Sequence, residues 1–201
     1  MTEKKKLVFI GNSIVNGFPL KRSQCFAGLI RQETGWDVIN KGVNGQTTTD
    51  LDNRFDRDVL SHKPNMFFIL SGTNDFIYGE ATPEQAFANL EGMAKRALSG
   101  IGADGIKYAE PNTITPVFLT PIPTDPEMAS RLWMAGAGVD YQRVNRQMFE
   151  LTTRIKAAAF DFIDLNGSYQ QCGQYHDGVH PTEEGHRFIA GQILNWLGSC
   201  T

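Results

Sequence analysis

Short apolar runs alternate with longer amphipathic segments along the chain. The short runs predict strands at residues 7–11, 36–40, 65–71, 112–120 and 160–165. The third contains the continuous run Met66-Phe67-Phe68-Ile69-Leu70, which is typical of a central strand in a parallel sheet. The amphipathic segments predict helices at residues 26–34, 47–61, 83–98, 140–159 and 182–197. Thr49 or Asp50 is a candidate cap for the second of these helices.

This alternation of strand and helix predicts an α/β fold in which a parallel sheet carries helices on both faces. The length of 201 residues suits one domain, residues 1–201, because a chain of this size can bury a substantial core. No internal repeat or linker interrupts the pattern. Two segments stand out as insertions: a Gly-rich surface loop at residues 100–111, and a segment at 121–138 that is rich in Pro, Met and Gly.

Composition and charge exclude several classes of protein. A net charge of −3 provides no basic surface for nucleic acid, and no apolar run is long enough to span a bilayer. The run Leu7-Val8-Phe9-Ile10 is too short for the core of a signal peptide, so we expect a cytoplasmic protein. Cys25, Cys172 and Cys200 are odd in number and far apart, so we expect neither a disulfide framework nor a metal motif.

Polar clusters directly follow three of the predicted strands, and a fourth comes shortly after the last. They are Asn12-Ser13, the segment 42–47, the segment 72–75, and the segment 177–180. In an open parallel sheet, ligands bind beyond the carboxyl ends of the strands. We therefore expect these four clusters to meet at one edge of the sheet.

The chemistry of these clusters favours a serine hydrolase. Ser13 is a candidate nucleophile, His180 a candidate general base, and Asp177 a candidate partner that fixes the imidazole tautomer. The alternatives are a capping or turn serine, a structural loop histidine, and an aspartate in an Asx turn. His176 and His180 also have an i, i+4 spacing, but Gly178 and Pro181 argue against the helix that a metal site of this kind requires.

Acyl transfer also requires hydrogen-bond donors aimed at the developing oxyanion. The backbone N–H of Gly45, the side-chain amide of Asn74 and the backbone N–H of Ser13 are candidates. Gly45 could instead serve only a turn, and Asn74 only a helix cap.

These motifs, taken in order, resemble the SGNH superfamily of GDSL-type esterases and lipases, with some likeness to platelet-activating-factor acetylhydrolase-like proteins. The matching motifs are Gly11-Asn12-Ser13, Asn-x-Gly-x-x-Gly-x-Thr at 40–47, Gly-Thr-Asn-Asp at 72–75, and Asp-x-x-His-Pro at 177–181. The resemblance extends over residues 7–186 and implies a flavodoxin-like three-layer α/β/α sandwich with a five-stranded parallel sheet. It also implies Ser13 as nucleophile, His180 as base, Asp177 as its partner, and an oxyanion hole made by Ser13, Gly45 and Asn74. No metal or organic cofactor is implied.

One position departs from the family motif, since Asn12 stands where the family has aspartate. Asparagine can still hold the loop, but it removes a charge near the site. We include Asn12 among the candidate substrate contacts, together with Phe76, Trp133 and Met134, which offer apolar walls on either side of the proposed nucleophile.

The expected substrate is a small-molecule ester with a short, acetyl-type acyl group. An acyltransferase on the same fold and a non-catalytic flavodoxin-like binding protein are the alternatives. This sequence lacks the Gly-x-Gly-x-x-Gly and P-loop signatures that a nucleotide-binding protein of that kind would carry. The sequence leaves the oligomeric state open.

Overall fold

A computed structural model describes residues 4–199 of the chain. The strands are β1 (Lys6–Gly11), β2 (Asp37–Gly42), β3 (Met66–Leu70), β4 (Thr115–Leu119) and β5 (Asp161–Ile163). The helices in this range are α1 (Ser13–Asn16), α2 (Phe26–Thr34), α3 (Thr48–Asp58), α4 (Thr73–Tyr78), α5 (Pro83–Ser99), α6 (Pro126–Leu132), α7 (Tyr141–Ala157), α8 (Leu165–Ser168) and α9 (Glu183–Ser199). Short 3-10 turns lie at Leu60–His62 and Tyr169–Gln171. Cys25 and Cys172 are free thiols, and Cys200 lies outside the described residues.

The five strands form one sheet in the order β2-β1-β3-β4-β5, and every neighbouring pair is parallel. Gly11, the last residue of β1, pairs with Gly42 on one side and Leu70 on the other. The carboxyl ends of β2, β1 and β3 are therefore level. The chain order reverses between β1 and β3, which is where ligands bind in sheets of this type.

Alternate residues of the strands belong to two separate apolar clusters, one on each face of the sheet. Val8 and Ile10 of β1 pack on the side covered by α3, α5 and α7. Leu7 and Phe9 pack on the opposite side, against α2 and α9. These side chains are fully buried, and each contributes about 1.5–3 kcal/mol relative to exposure. The predicted three-layer α/β/α fold with a five-stranded parallel sheet is confirmed.

The predicted helix at 47–61 begins differently from expectation. Thr47 is its cap, and its hydroxyl accepts from the Asp50 N–H while the Asp50 carboxylate accepts from the Thr47 N–H. Neither Thr49 nor Asp50 is the cap, because Asp50 takes the third helical position of this reciprocal capping box.

The two insertions differ in content. Segment 100–111 contains no helix, and an isolated antiparallel bridge between Ile101 and Lys107 closes it. Segment 121–138 includes α6, whose first turn is capped by the side chain of Asp125.

Within residues 4–199, no helix combines the length and apolar character needed to cross a bilayer.

Candidate active site

Ser13 lies at the first position of α1, immediately beyond the end of β1. The side-chain oxygen of Asn12 accepts a 3.0 Å hydrogen bond from the Ile14 N–H and so caps this helix. Gly17, in the left-handed conformation, ends it after four residues. The backbone N–H of Ser13 has no acceptor within the helix, because the first turn of any helix leaves its N–H groups unpaired.

The loop that carries Asp177 and His180 is folded by the Asp177 carboxylate itself. One of its oxygens accepts from the backbone N–H groups of Val179 at 3.0 Å and of His180 at 2.8 Å. The other oxygen lies 2.7 Å from Nδ1 of the His180 ring. The Asx turn and the contact with the imidazole therefore coexist, because they use different oxygens.

The structure places the hydroxyl of Ser13 against the other nitrogen of the His180 ring. Ser13 Oγ and His180 Nε2 are 2.9 Å apart, although the two residues are 167 positions apart in the chain. A carboxylate can only accept, so Nδ1 carries the proton and Nε2 is left to accept from the hydroxyl. Ser13, His180 and Asp177 thus form a continuous hydrogen-bonded chain in a largely buried setting.

The Asp177 carboxylate is held in its charged form. Burial raises its pKa, but the hydrogen bonds from the His180 ring and from the backbone of His180 and Val179 outweigh burial, and the net pKa is lower than usual. A carboxylate that stays charged at neutral pH can stabilise an imidazolium on its neighbour.

Two aromatic rings pack against the imidazole of His180. The Trp133 ring lies 4.5 Å from it and the Phe18 ring 4.9 Å, both nearly perpendicular to it. The Tyr141 hydroxyl donates to the backbone carbonyl of Trp133 at 2.9 Å and fixes the segment that carries this ring. As a result His180 is only 1% exposed.

Gly45 and Asn74 lie in adjacent segments beyond β2 and β3. Gly45 has a φ of +78° and is exposed, and the segment that carries it is tied to β1 because Val43 N–H donates to the Gly11 carbonyl at 3.0 Å. The Asn74 amide donates to the Gln46 carbonyl at 2.9 Å. That bond uses one of the two amide hydrogens, so one remains for a ligand.

Two of the four candidate substrate contacts require correction. The Phe76 side chain is fully buried in the core cluster beneath α7, so it forms no wall of an open site. Asn12 is buried as well, and its side-chain oxygen is used in capping α1. Trp133 does lie at the site, against His180. Met134 follows it with a φ of +52° and is 41% exposed.

Two side chains around this site were given no role from the sequence. Phe18 packs on His180, and Asp75, which follows Asn74, is fully buried. The Asp75 carboxylate accepts from the Thr48 N–H and hydroxyl, while its burial raises its pKa. Asp75 was within reach of sequence reasoning, since it belongs to a polar cluster that follows a strand. The contact of Phe18 with His180 had no such signal.

The described part of the chain holds no group of three or more His, Cys, Asp or Glu side chains placed to bind a metal ion. His176 does not lie with His180 on a helix. Its backbone N–H instead donates to the His180 carbonyl at 2.8 Å, within a turn.

Comparison with known proteins gives a consistent result. Residues 9–188 match the GDSL-like Lipase/Acylhydrolase family. The chain is 25% identical over 185 residues to an acetylxylan esterase of Geobacillus stearothermophilus, a match that covers 83% of this chain and 74% of that protein. The crystal structure of a lipase/acylhydrolase from Enterococcus faecalis has the same fold, with a TM-score of 0.74 and 22% identity over 96% of this chain and 95% of that one.

A shorter match concerns cellular location. Over 39 residues the chain is 54% identical to the uncharacterized lipoprotein YqeF of Bacillus subtilis (strain 168), which is 19% of this chain and 16% of that protein. The cytoplasmic location expected from the sequence therefore stays a prediction.

The matched region contains the carboxyl ends of all five strands. It also contains the three hydrogen-bonded residues Ser13, Asp177 and His180. The protein thus belongs to the GDSL-like lipase/acylhydrolase family and is a carboxylic ester hydrolase.

Proposed function

We propose that the protein hydrolyses short-chain, acetyl-type esters with Ser13 as nucleophile, His180 as general base and Asp177 as its partner. The observation that carries the proposal is the chain of contacts from Ser13 Oγ to His180 Nε2, at 2.9 Å, and from His180 Nδ1 to Asp177, at 2.7 Å. A serine hydroxyl is a weak nucleophile until a positioned base can take its proton.

The reaction proceeds in two steps. Ser13 Oγ attacks the ester carbonyl while its proton moves to His180 Nε2, and the resulting tetrahedral intermediate collapses to an acyl-enzyme as His180 returns the proton to the departing alcohol. Water then attacks the acyl group. His180 takes its proton and returns it to Ser13 Oγ as the acid leaves.

Three donors stabilise the oxyanion of each tetrahedral intermediate. They are the backbone N–H groups of Ser13 and Gly45 and the free amide hydrogen of Asn74. Gly45 suits this role because a residue without a side chain lets a substrate approach its backbone closely. Loss of one such donor typically lowers turnover by about 100- to 1000-fold.

The short acyl group is supported by the surroundings of the nucleophile. Phe18 and Trp133 pack directly on the His180 ring, and Phe76 lies in the core rather than at the site. The similarity to an acetylxylan esterase, at 25% identity, also favours an acetyl group. Trp133 and Met134 are the proposed contacts for the remainder of the substrate.

A series of p-nitrophenyl esters of increasing acyl length tests this function. We expect the native protein to prefer acetate and propionate over longer esters. We expect Ser13→Ala to lose at least 1000-fold in kcat, since a triad without its nucleophile retains only the catalysis of binding and the oxyanion hole, about 10³- to 10⁴-fold over water.

Ser61→Ala is the matched control, because Ser61 is an exposed serine that precedes β3 and lies toward the opposite edge of the sheet. It is expected to behave like the native protein. Retained turnover in Ser13→Ala would overturn the nucleophile assignment. A product ester formed with an added alcohol, in place of the free acid, would indicate acyl transfer instead of hydrolysis.

A further inference from the structure

A buried arginine on α3 contacts both chain segments that bear the proposed nucleophile and oxyanion donors. The Arg54 side chain is 7% exposed, and one terminal nitrogen donates to the carbonyls of Lys41 at 2.9 Å and Gly11 at 3.2 Å. Its Nε donates to the side-chain oxygen of Gln46 at 2.6 Å. One planar group therefore joins the end of β1, the end of β2 and the segment that follows β2.

These contacts surround the proposed reacting atoms in the sequence. Gly11 lies two positions before Ser13, and Gln46 directly follows Gly45. The Gln46 carbonyl also accepts from the Asn74 amide. The position of Gly45 relative to Ser13 and Asn74 thus depends on where the guanidinium holds Gln46 and the two strand ends.

The positive charge of Arg54 has its own counterion. The other terminal nitrogen donates to the Asp58 carboxylate at 2.8 Å, one turn along the same helix. Burial raises the Asp58 pKa, but hydrogen bonds from Arg57 and Arg54 outweigh it and lower the pKa to about 2. The Asp58 carboxylate is therefore charged throughout the neutral range, and Arg54 is held by this partner rather than by a substrate.

We propose that Arg54 is a positioning residue for the oxyanion hole: it sets the distance between Ser13, Gly45 and Asn74 without touching the substrate. This inference rests on the proposed function. A guanidinium donates in several fixed directions within one plane, whereas an ammonium is a point charge on a flexible stem. Lysine at this position can keep the pairing with Asp58 but cannot hold the carbonyls and Gln46 together.

The expected consequence is a loss of turnover with little loss of substrate affinity. In Arg54→Lys we expect kcat for p-nitrophenyl acetate to fall about 10- to 100-fold, the scale of a misplacement of about 1 Å in a catalytic site. KM should stay within about threefold, because interactions made only in the transition state affect kcat. A trifluoromethyl ketone, which forms a tetrahedral oxyanion adduct on the serine, should lose affinity in parallel with kcat/KM.

Arg57→Lys provides the matched control. Arg57 lies on the same helix and contacts the same Asp58 carboxylate, but its side chain is 75% exposed, whereas that of Arg54 is 7% exposed. Its kinetic constants are expected to equal those of the native protein. Gln46→Met, which removes only the contact with Arg54 Nε, is a milder second variant with an expected loss of about tenfold, the size of a 1.4 kcal/mol change.

Thermal unfolding of each variant is followed by circular dichroism. The kinetic assays are then run at a temperature at which every variant is folded. The proposal is overturned if folded Arg54→Lys and Gln46→Met both match the native protein, or if both lose ground-state affinity and turnover to the same extent. Ser13→Ala separates the two proposals: if that variant stays active the proposed function has failed, whereas a silent Ser13→Ala beside a fully active Arg54→Lys removes the role of Arg54 alone.

Discussion

The imidazole of His180 is fixed both by hydrogen bonds at its two ring nitrogens and by packing against aromatic neighbours. Ser13 and Asp177 meet its two nitrogens, and Phe18 and Trp133 pack against the ring. A ring with its rotamer locked by packing and hydrogen bonds spends little time in unproductive orientations. The aromatic pair therefore helps to hold the proposed base in place.

The residue before the proposed nucleophile keeps a structural role despite its departure from the family motif. Asn12 accepts from the Ile14 N–H and fixes the start of the helix on which Ser13 lies. Asparagine at this position was expected to hold the loop, and the cap that Asn12 forms on α1 confirms this expectation. The effect of the missing negative charge on the reaction stays a prediction.

A second histidine, His186, gives stability a specific dependence on pH. It is fully buried, and its Nδ1 accepts from the Phe26 N–H at the start of α2. Burial lowers its pKa to about 4, and the charges of His176 and His180 act in the same direction. Because the folded-state pKa lies below the unfolded value, His186 imposes no penalty above about pH 6.5 and destabilises the fold progressively as the pH falls to about 4.

We expect the native protein to lose about 3 kcal/mol of unfolding free energy from this group between pH 6.5 and 4, since each pKa unit is worth 1.36 kcal/mol. His186→Gln keeps an acceptor for Phe26 but cannot titrate, so its stability should fall less over this interval. Urea unfolding at a series of pH values measures the difference, with the exposed His176→Gln as control. An equal acid loss in His186→Gln and the native protein would contradict this account.

Single residues differ in how far the sequence could place them. The candidate site residues were chosen because they follow predicted strands or lie in a spaced polar motif; they are Ser13, Gly45, Asn74, Asp177 and His180. The contact of Phe18 with His180 and the contacts of Arg54 with Gly11, Lys41 and Gln46 depend on tertiary packing. An aromatic or basic residue in a local pattern gives no signal of such contacts. The same limit explains Phe76, whose position beside a polar cluster suggested an open wall but whose side chain packs inward.

At the scale of elements, the loop of Asp177 and His180 depends on how closely it approaches α6. Gly178 has a φ of +87°, and its carbonyl accepts from the Asp125 N–H at 2.8 Å. A Cβ atom at this position would lie 2.3 Å from the Ala129 backbone nitrogen. Only glycine allows both the left-handed conformation and this approach of two backbones.

Gly178→Ala should therefore lower the unfolding free energy by more than the strain of a left-handed residue alone. Gly136→Ala is the matched variant, because Gly136 has a φ of +83° but no atom within 4 Å of an added Cβ. We expect Gly136→Ala to lower the unfolding free energy by about 1–2 kcal/mol and to leave kcat unchanged. Gly178→Ala should lose more stability and also lower kcat, because the loop that carries the proposed base must move.

Urea unfolding and p-nitrophenyl acetate hydrolysis on both variants provide the comparison. Equal losses of stability and unaltered turnover in the two proteins would show that the contact between this loop and α6 has no role in holding the site.

The strands and the long helices were predictable, but the short helices were not. The predicted helix at residues 26–34 coincides with α2, and the five predicted strands each contain the core of an observed one. Helices α1, α4 and α8 have four to six residues, too few to complete an amphipathic repeat. Side chains cap two of them, since Asn12 caps α1 and Asp164 caps α8.

At the scale of the whole molecule, the site exists because the sheet is parallel and its strand ends are level. β1 lies between β2 and β3, so the segments that carry Ser13, Gly45 and Asn74 leave the sheet side by side, and the loop before α9 brings His180 to the same edge. The alternation of strands and helices predicted the layers. Strand order depends on how each crossover packs, which the local pattern does not contain. The family resemblance implied a flavodoxin-like fold with five parallel strands, and the order β2-β1-β3-β4-β5 comes from the structure. The assignment of residues 1–201 to one domain stays a prediction.

Covalent trapping with a fluorophosphonate, followed by peptide mass spectrometry, tests the central claim most directly. The reagent marks a serine that a neighbouring base has activated. We expect one adduct per chain, on the peptide that contains Ser13, formed in step with the loss of esterase activity and nearly absent in His180→Ala. An adduct on a different serine, or full inactivation with Ser13 unmodified, would contradict the account.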